Sequence, residues 1–351
     1  MDRFDVAVIG AGQSGLATAH SLLREGLRPV VLEASDRAAG SWPRYYDSLA
    51  LFSPARYSSL PDLPFGGDPD RYPRRDEVVA YLTRYAGCLD ADLRTGRRVT
   101  AVRPAGESFE LDLADGQALG ARAVVTATGG FGRPNRPALP GLDTFTGTAL
   151  HVSEYRAPGP FAGQRVVVVG AGNSAVQVAV ELADVARVSL ASRAPVRWFP
   201  QRPLGRDLHF WLTVTGADAA PLGRLQRRPA TMAVIDDGRY RAALTTGRPD
   251  RHPMFTGLDG STVTWADGTR EEVDTIILAT GYLPDLGYLA PLDALDGTGR
   301  PRHRDGSSLA HPRLAHVGLE WQRSLSSASL RGVGRDTRRA ARRLARTLGR
   351  R

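Results

Sequence analysis

The chain contains no lysine. All 46 of its basic residues are arginine, against 37 acidic ones, for a net charge of +9. Exclusive use of arginine points to a GC-rich bacterial genome, and a basic excess alone is poor grounds for nucleic-acid binding. Cysteine is nearly absent. Cys88 stands alone, which excludes an intrachain disulfide, a CxxC redox pair and a cysteine zinc cluster. No apolar run approaches the roughly 18 to 20 residues of a membrane span. The N terminus, MDRFDVAVIGAG, reads as a strand entering a tight turn rather than a secretion signal, so a cytoplasmic location is expected. His20, His303, His311 and His316 lack metal-ligand spacing, and no metal is expected. At 351 residues the chain suits two domains.

Arginine is concentrated at the C terminus, in RDTRRAARRLARTLGRR, where Ala340, Leu344 and Leu348 recur at i, i+4 and i+8. This reads as a terminal amphipathic helix with a solvated basic face. The strongest pattern is a repeat of form. FDVAVIGAGQSGLATAHSLLREGLRPVVLEA, from Phe4, and QRVVVVGAGNSAVQVAVELADVARVSLASR, from Gln164, each join a β-branched run, a GxGxx(G/A) turn, an apolar-periodic helix and a second β-branched run. Each is a βαβ unit, and two in such context argue for two dinucleotide sites. Between them lie a Tyr- and Pro-rich loop, a helix from about Asp76 to Ala86, and alternating hairpin material with an Asp-Gly turn. After the second unit, residues 196–258 are dense in Arg and Pro and have no assigned role. Their cluster of Trp198, Phe199, His209, Phe210 and Trp211 suits either a cavity lining or a packing or dimer surface.

In the first turn Gly10 permits the tight bend, Gly12 admits a pyrophosphate and Gly15 lets helix and strand pack closely. The helix starting near Gln13 and Ser14 offers free N–H groups and a positive dipole end to phosphates. Glu33, 23 residues after Gly10, suits a ribose with a free 2′-OH. In the second unit, Gly170, Gly172 and Ala175 repeat the pattern beside Asn173 and Ser174. The same count of 23 from Gly170 lands on Arg193, preceded by Ser192. A guanidinium there favours a 2′-phosphate, hence NADPH. Two ATG segments, with Thr128-Gly129 and Thr280-Gly281-Tyr282, each end an apolar strand, where a glycine lets the chain pass close to a cofactor or the other domain.

Taken together, GAGQSG with Glu33, AGSWPRYYDSL with Trp42, GAGNSA with Arg193, and DTIILATGY resemble the class B flavin-dependent monooxygenases, over nearly the whole chain. Phe145, Gly147, His151 and Tyr155 match that family's FxGxxxHxxx(Y/F) fingerprint, and WQRSLSSASLRGVGRD is similar to a compact bacterial branch that includes arsenic-resistance-associated enzymes. The resemblance implies an α/β fold of two Rossmann-like domains, the NADPH domain (156–282) inserted into an FAD domain (1–155 and 283–351), with Val99 also at the FAD site. It further implies transfer of one oxygen atom from O2 to nitrogen, sulfur or a similar soft atom through a C4a-(hydro)peroxyflavin, with a homodimer as the base-rate expectation. Tyr155 stands where the Baeyer-Villiger subgroup has Trp, which favours heteroatom oxygenation. The chain departs from the family pattern at Ala39-Gly40-Ser41-Trp42 and at Ser53, where many relatives have Asn. The second departure leaves an NADPH oxidase or flavin reductase releasing H2O2 as one alternative, and Baeyer-Villiger type oxygenation is the other. Phe145 to Arg156 reads as a connector between domains. In it Gly147 allows the turn and His151 hydrogen-bonds to hold the linker or a bound NADP, so that His151 and Ser53 modulate the reaction.

Overall fold

The computed structural model describes residues 3–225 and 233–349. Arg350 and Arg351 of the basic run, the first two residues of the N-terminal strand motif, and 226–232 of the Arg- and Pro-dense stretch lie outside the described residues.

β1 (Arg3–Ile9), α1 (Gln13–Arg24) and β2 (Pro29–Leu32) form the first βαβ unit. Val6, Ala7 and Val8 are fully buried, as a strand covered on both faces requires. α2 (Arg75–Gly87), β3 (Asp92–Arg94), β4 (Val99–Ala105), β5 (Ser108–Leu113) and β6 (Ala118–Thr126) follow. Asp115-Gly116 turns β5 into β6, with Gly116 at φ 82°, a conformation favouring glycine.

β7 (Arg133–Pro134) leads to β8 (Thr148–His151), and β9 (Arg165–Val169), α3 (Asn173–Leu182) and β10 (Arg187–Ser192) form the second βαβ unit. β11 (Trp198–Pro200) and β12 (Val234–Asp236) pair with each other, with α4 (Leu208–Val214) between them in sequence. After α5 (Arg239–Thr245) and β13 (Asp250–Pro253), a three-stranded meander, β14 (Gly257–Asp259), β15 (Thr262–Thr264) and β16 (Arg270–Glu272), precedes β17 (Thr275–Leu278). The second sheet, in order β13-β10-β9-β17-β8, is parallel throughout.

β18 (Tyr282–Leu283) then pairs with β7. β19 (His303–Arg304), β20 (Ser307–Ser308) and β21 (Leu314–His316) return to the first sheet, whose parallel centre runs β3-β2-β1-β6-β21. The fold is thus α/β, and every strand of the second sheet lies in sequence between strands of the first. Among the described residues no helix is long and apolar enough to cross a membrane.

Two expectations need correction. Residues 148–151 are not a free connector, because β8 is the edge strand of the second sheet, in register with β17. Gly147 makes no left-handed turn. A Cβ there would lie 2.5 Å from the Asp274 carbonyl oxygen and 2.5 Å from the Phe145 ring, so close approach is what requires glycine. The C-terminal helix, α6 (Leu330–Thr347), starts before the arginine run. Leu344 and Leu348 are buried as expected, and Arg338, Arg339, Arg342 and Arg346 are exposed. Arg331 and Arg335 instead turn inward to Asp218 at 3.3 and 3.0 Å, and Arg323 reaches Asp336 at 2.8 Å. α6 packs beside α1, joined by a 2.9 Å bond between Ser21 and Thr337 hydroxyls.

His316 is fully buried at the end of β21, with Nδ1 2.9 Å from Thr126 Oγ1 and Nε2 lacking a partner among the described residues. Burial, then His303 and Arg343, depress its pKa from 6.5 to about 3. The neutral ring therefore stabilises the fold above about pH 6.5, and that contribution is lost as pH falls from there towards 3.

Two outcomes are expected. Gly147→Ala lowers stability by roughly 1–3 kcal/mol through overpacking, read as a lower denaturant midpoint. Acidification below about pH 6.5 destabilises the protein with a slope of up to about 1.4 kcal/mol per pH unit from this one group, and His316→Gln removes that part of the slope in unfolding curves taken at stepped pH.

Candidate active site

One cavity of about 1710 Å³ is lined by residues at the C-terminal ends of β1, β2, β6, β9, β10 and β17. It exceeds the roughly 300–1,000 Å³ of an ordinary small-ligand pocket, and it lies where open α/β sheets bind ligands.

At the first turn Gly10 has φ 103°, and a Cβ there would lie 2.9 Å from Ala127 O. Gly12 occupies the N-cap of α1 without a side-chain cap, so the first-turn amides have no side-chain partner. Gln13 is braced on one side by Trp42 Nε1, at 3.1 Å, and on the other by the Ala328 carbonyl, at 2.6 Å. Glu33 accepts from Ala11 N at 2.7 Å and from Ser35 N and Oγ at 2.8 Å, which fixes its carboxylate at the cavity wall. Ser14, Val99, Thr128 and Gly129 also line the cavity. Gly15 does not. A Cβ on it would lie 1.7 Å from Gly10 O, so its place is in helix-strand packing behind the wall.

The second turn repeats this construction. A Cβ on Gly170 would lie 2.5 Å from Ala279 O, and Gly172 leaves α3 without a side-chain cap. Asn173 Oδ1 accepts from Ile235 N at 3.1 Å, tying the turn to β12. Ser174, Ala175, Ser192 and Arg193 line the cavity. The Ser192 hydroxyl donates to Ala194 O at 2.8 Å and so has no proton for a phosphate while that bond holds. Arg193 is exposed and makes no ion pair among the described residues.

The two chain crossings between the sheets lie against each other. Asn135, which sequence reasoning missed, donates from its backbone N to Gly281 O at 3.0 Å and from Nδ2 to Thr280 O at 3.0 Å. It also accepts from Thr280 Oγ1 at 2.5 Å. Gly129 and Gly281 have φ 72° and 81° with open space beside them. His151 is fully buried and outside the cavity lining. Ser153 N donates to its Nδ1 at 3.1 Å, so Nε2 carries the proton and donates to Gly281 O at 3.0 Å. Burial lowers its pKa, consistent with that neutral tautomer. His151 therefore holds the crossing. Tyr155 is likewise buried, donating to Glu181 at 2.9 Å, and makes no contact with the cavity.

At the far wall Ser53 meets Ser58, with the hydroxyls 2.9 Å apart. Ser58 donates to the Ser53 and Pro54 carbonyls, so the Ser53 proton points to Ser58 and away from the cavity. Of the aromatic cluster, only His209 lines the cavity. Trp198 packs in the core of the second sheet and Trp211 donates to Pro203 O. Asp207, another residue the sequence did not single out, accepts from Tyr72 Oη at 2.6 Å, Gln201 Nε2 at 2.8 Å and His209 N at 2.7 Å, and lies 2.9 Å from His209 Nδ1. Burial opposes its ionisation, but these hydrogen bonds prevail and hold its pKa at about 2. No cluster of three metal-ligating side chains occurs among the described residues.

A family model described as pyridine nucleotide-disulphide oxidoreductase matches residues 7–205. The structure of a flavin-containing monooxygenase from Stenotrophomonas maltophilia is similar at TM-score 0.86 and 32% identity, with 99% of each chain covered. An indole-3-pyruvate monooxygenase of Oryza sativa subsp. japonica, YUCCA1, is 35% identical over 78% of this chain and 76% of its own. A CzcO-like oxidoreductase of Geobacillus kaustophilus is 31% identical over 95% of each. Cys88 is the only cysteine, exposed and outside the cavity lining, so two-cysteine chemistry has no basis in this chain. With that chemistry absent and the match to a flavin-containing monooxygenase running end to end, the chain belongs to the pyridine nucleotide-disulphide oxidoreductase family and, within it, to the flavin-dependent monooxygenases.

Proposed function

We propose that the chain is an FAD- and NADPH-dependent enzyme that places one oxygen atom of O2 on nitrogen, sulfur or a similar soft atom of a small substrate. The observation that carries this reading is the reversal of charge between Glu33 and Arg193, equivalent positions of two turns that open into one cavity. Two uncapped helix N termini suit two pyrophosphates. Gly10, Gly12, Gln13, Ser14, Glu33, Trp42, Val99, Thr128 and Gly129 hold FAD, with Gly15 packing behind them. Gly170, Gly172, Asn173, Ser174, Ala175, Ser192, Arg193, Thr280, Gly281 and Tyr282 hold NADPH. The FAD domain spans 1–155 and 283–351 and the NADPH domain 156–282, with β8 contributed across that boundary.

A bound flavin supplies the redox chemistry, accepting hydride from the nicotinamide and activating O2. The chain's own residues bind, orient and shelter. Trp42, Tyr45, Phe131 and Tyr282 form an edge-to-face series along the cavity, with centroids 5.5, 6.3 and 5.3 Å apart, and such an apolar wall keeps water from the reacting atoms. A second reading, an oxidase that releases H2O2, is favoured by Ser53, whose proton is turned away from the cavity.

NADPH consumption, O2 uptake and H2O2 release, measured together with amines, thioethers and trivalent arsenicals, separate the two. The H2O2 share is expected to fall when a substrate is oxygenated, and complete H2O2 release with every substrate defeats the monooxygenase reading. Arg193→Ala is expected to reduce the preference for NADPH over NADH about 10- to 150-fold, the equivalent of one charge-assisted bond of roughly 1.5–3 kcal/mol. An unchanged preference defeats the assignment of Arg193.

A further inference from the structure

Two bound dinucleotides leave several polar side chains of the cavity wall without a task, His209 among them. His209 is 3% exposed yet lines the cavity. Asp207 is ionised, so the 2.9 Å contact between them is a hydrogen bond donated by Nδ1–H. In the neutral ring, Nε2 then carries the lone pair. It makes no hydrogen bond among the described residues, and it is absent from the buried polar atoms lacking partners, so the small exposed part of this side chain includes it. The imidazole is held from both sides. Tyr57 stacks on it at 6.3 Å and 30°, and Tyr72 and Gln201 lock Asp207. Gln201 also donates to Phe52 O at 3.0 Å, beside Ser53, which ties the pair to the part of the wall that holds Phe52 and Ser53. Leu208 and Leu212 flank it in the cavity.

A carboxylate that fixes the tautomer of an imidazole, with the second nitrogen open to a cavity, is the arrangement of a general base. We propose that His209, oriented by Asp207, is a catalytic residue that removes a proton from a substrate entering as an ammonium ion. An ammonium nitrogen has no lone pair with which to take up oxygen, so a proton must leave it first. For a secondary amine, the N–H bond breaks, its electron pair stays on nitrogen and the proton moves to Nε2. That nitrogen then forms the N–O bond. The overall change balances as R2NH2+ + NADPH + O2 → R2NOH + NADP+ + H2O, and the proton lent to His209 is the one consumed in forming water. A thioether has no such proton and needs no base.

This inference rests on the monooxygenase reading, so the test compares two substrates in the flavin-loaded enzyme, a secondary amine and a thioether of similar shape. In His209→Gln the amine-to-thioether ratio of kcat/KM is expected to fall about 10²-fold or more, the range of a positioned general base. Asp207→Asn moves the ratio the same way. Added imidazole restores part of the amine activity of His209→Ala. In the unmutated protein without NADPH, the ¹⁵N signal of His209 Nε2, identified by its loss in His209→Gln, shifts on addition of the amine and stays in place with the thioether. An unchanged ratio, an unmoved signal or no response to imidazole overturns the role of His209, even where both substrates are oxygenated. Complete H2O2 release from the unmutated enzyme with both substrates overturns the underlying reading and this one with it.

Discussion

The structure depends on the hydrogen bonds between the two chain crossings that join its sheets. Asn135 makes three bonds to Thr280 and Gly281, β7 pairs with β18, and His151 donates to the same Gly281 carbonyl. Without this seam the two glycine turns belong to separate sheets. With it they open into a single cavity, and residues 160 apart in sequence, Gly10 and Gly170, share one wall system. Hydrogen bonds that are mutually satisfied, here half-buried ones, hold such a junction in a single geometry.

The turns themselves use backbone rather than side chains. Glycine at the N-cap of α1 and of α3 forgoes the roughly 0.5–2 kcal/mol that a Ser, Thr, Asp or Asn cap contributes over alanine. That sacrifice makes sense where a ligand takes up the amides. A charge stands at the next strand's end in each unit, Glu33 in one and Arg193 in the other, and the two differ in burial as in sign. Glu33 is fixed by three hydrogen bonds, whereas Arg193 reaches from an exposed loop.

Much of this was legible in the sequence because the information is local. The two βαβ units, the Asp-Gly hairpins at Gly116 and Gly268, and the positions of Glu33 and Arg193 follow from short-range periodicity and counting. What escaped was non-local. Arg335 looked solvated because Asp218, more than a hundred residues away, is invisible to a helical wheel. Gly147 looked like a turn because the Asp274 carbonyl that crowds it is set by strand pairing. Asp207 is one acid among many until Tyr72, Gln201 and His209 converge on it. His151 stands at the junction, but its partner, a backbone carbonyl 130 residues on, leaves no mark in the sequence.

α6 and β21 come last in the chain, yet β21 pairs with β6 at the centre of the first sheet, and residues at the start of α6 line the cavity. The order of synthesis is therefore not the order of assembly. On a ribosome, the whole second sheet emerges before the first can be completed, so the middle of the chain can close while its N-terminal strands still wait for a partner. The cavity wall is complete only after its last residues, Gly318 to Arg331, have left the exit tunnel, so a ligand that touches the whole wall cannot be fully enclosed before then.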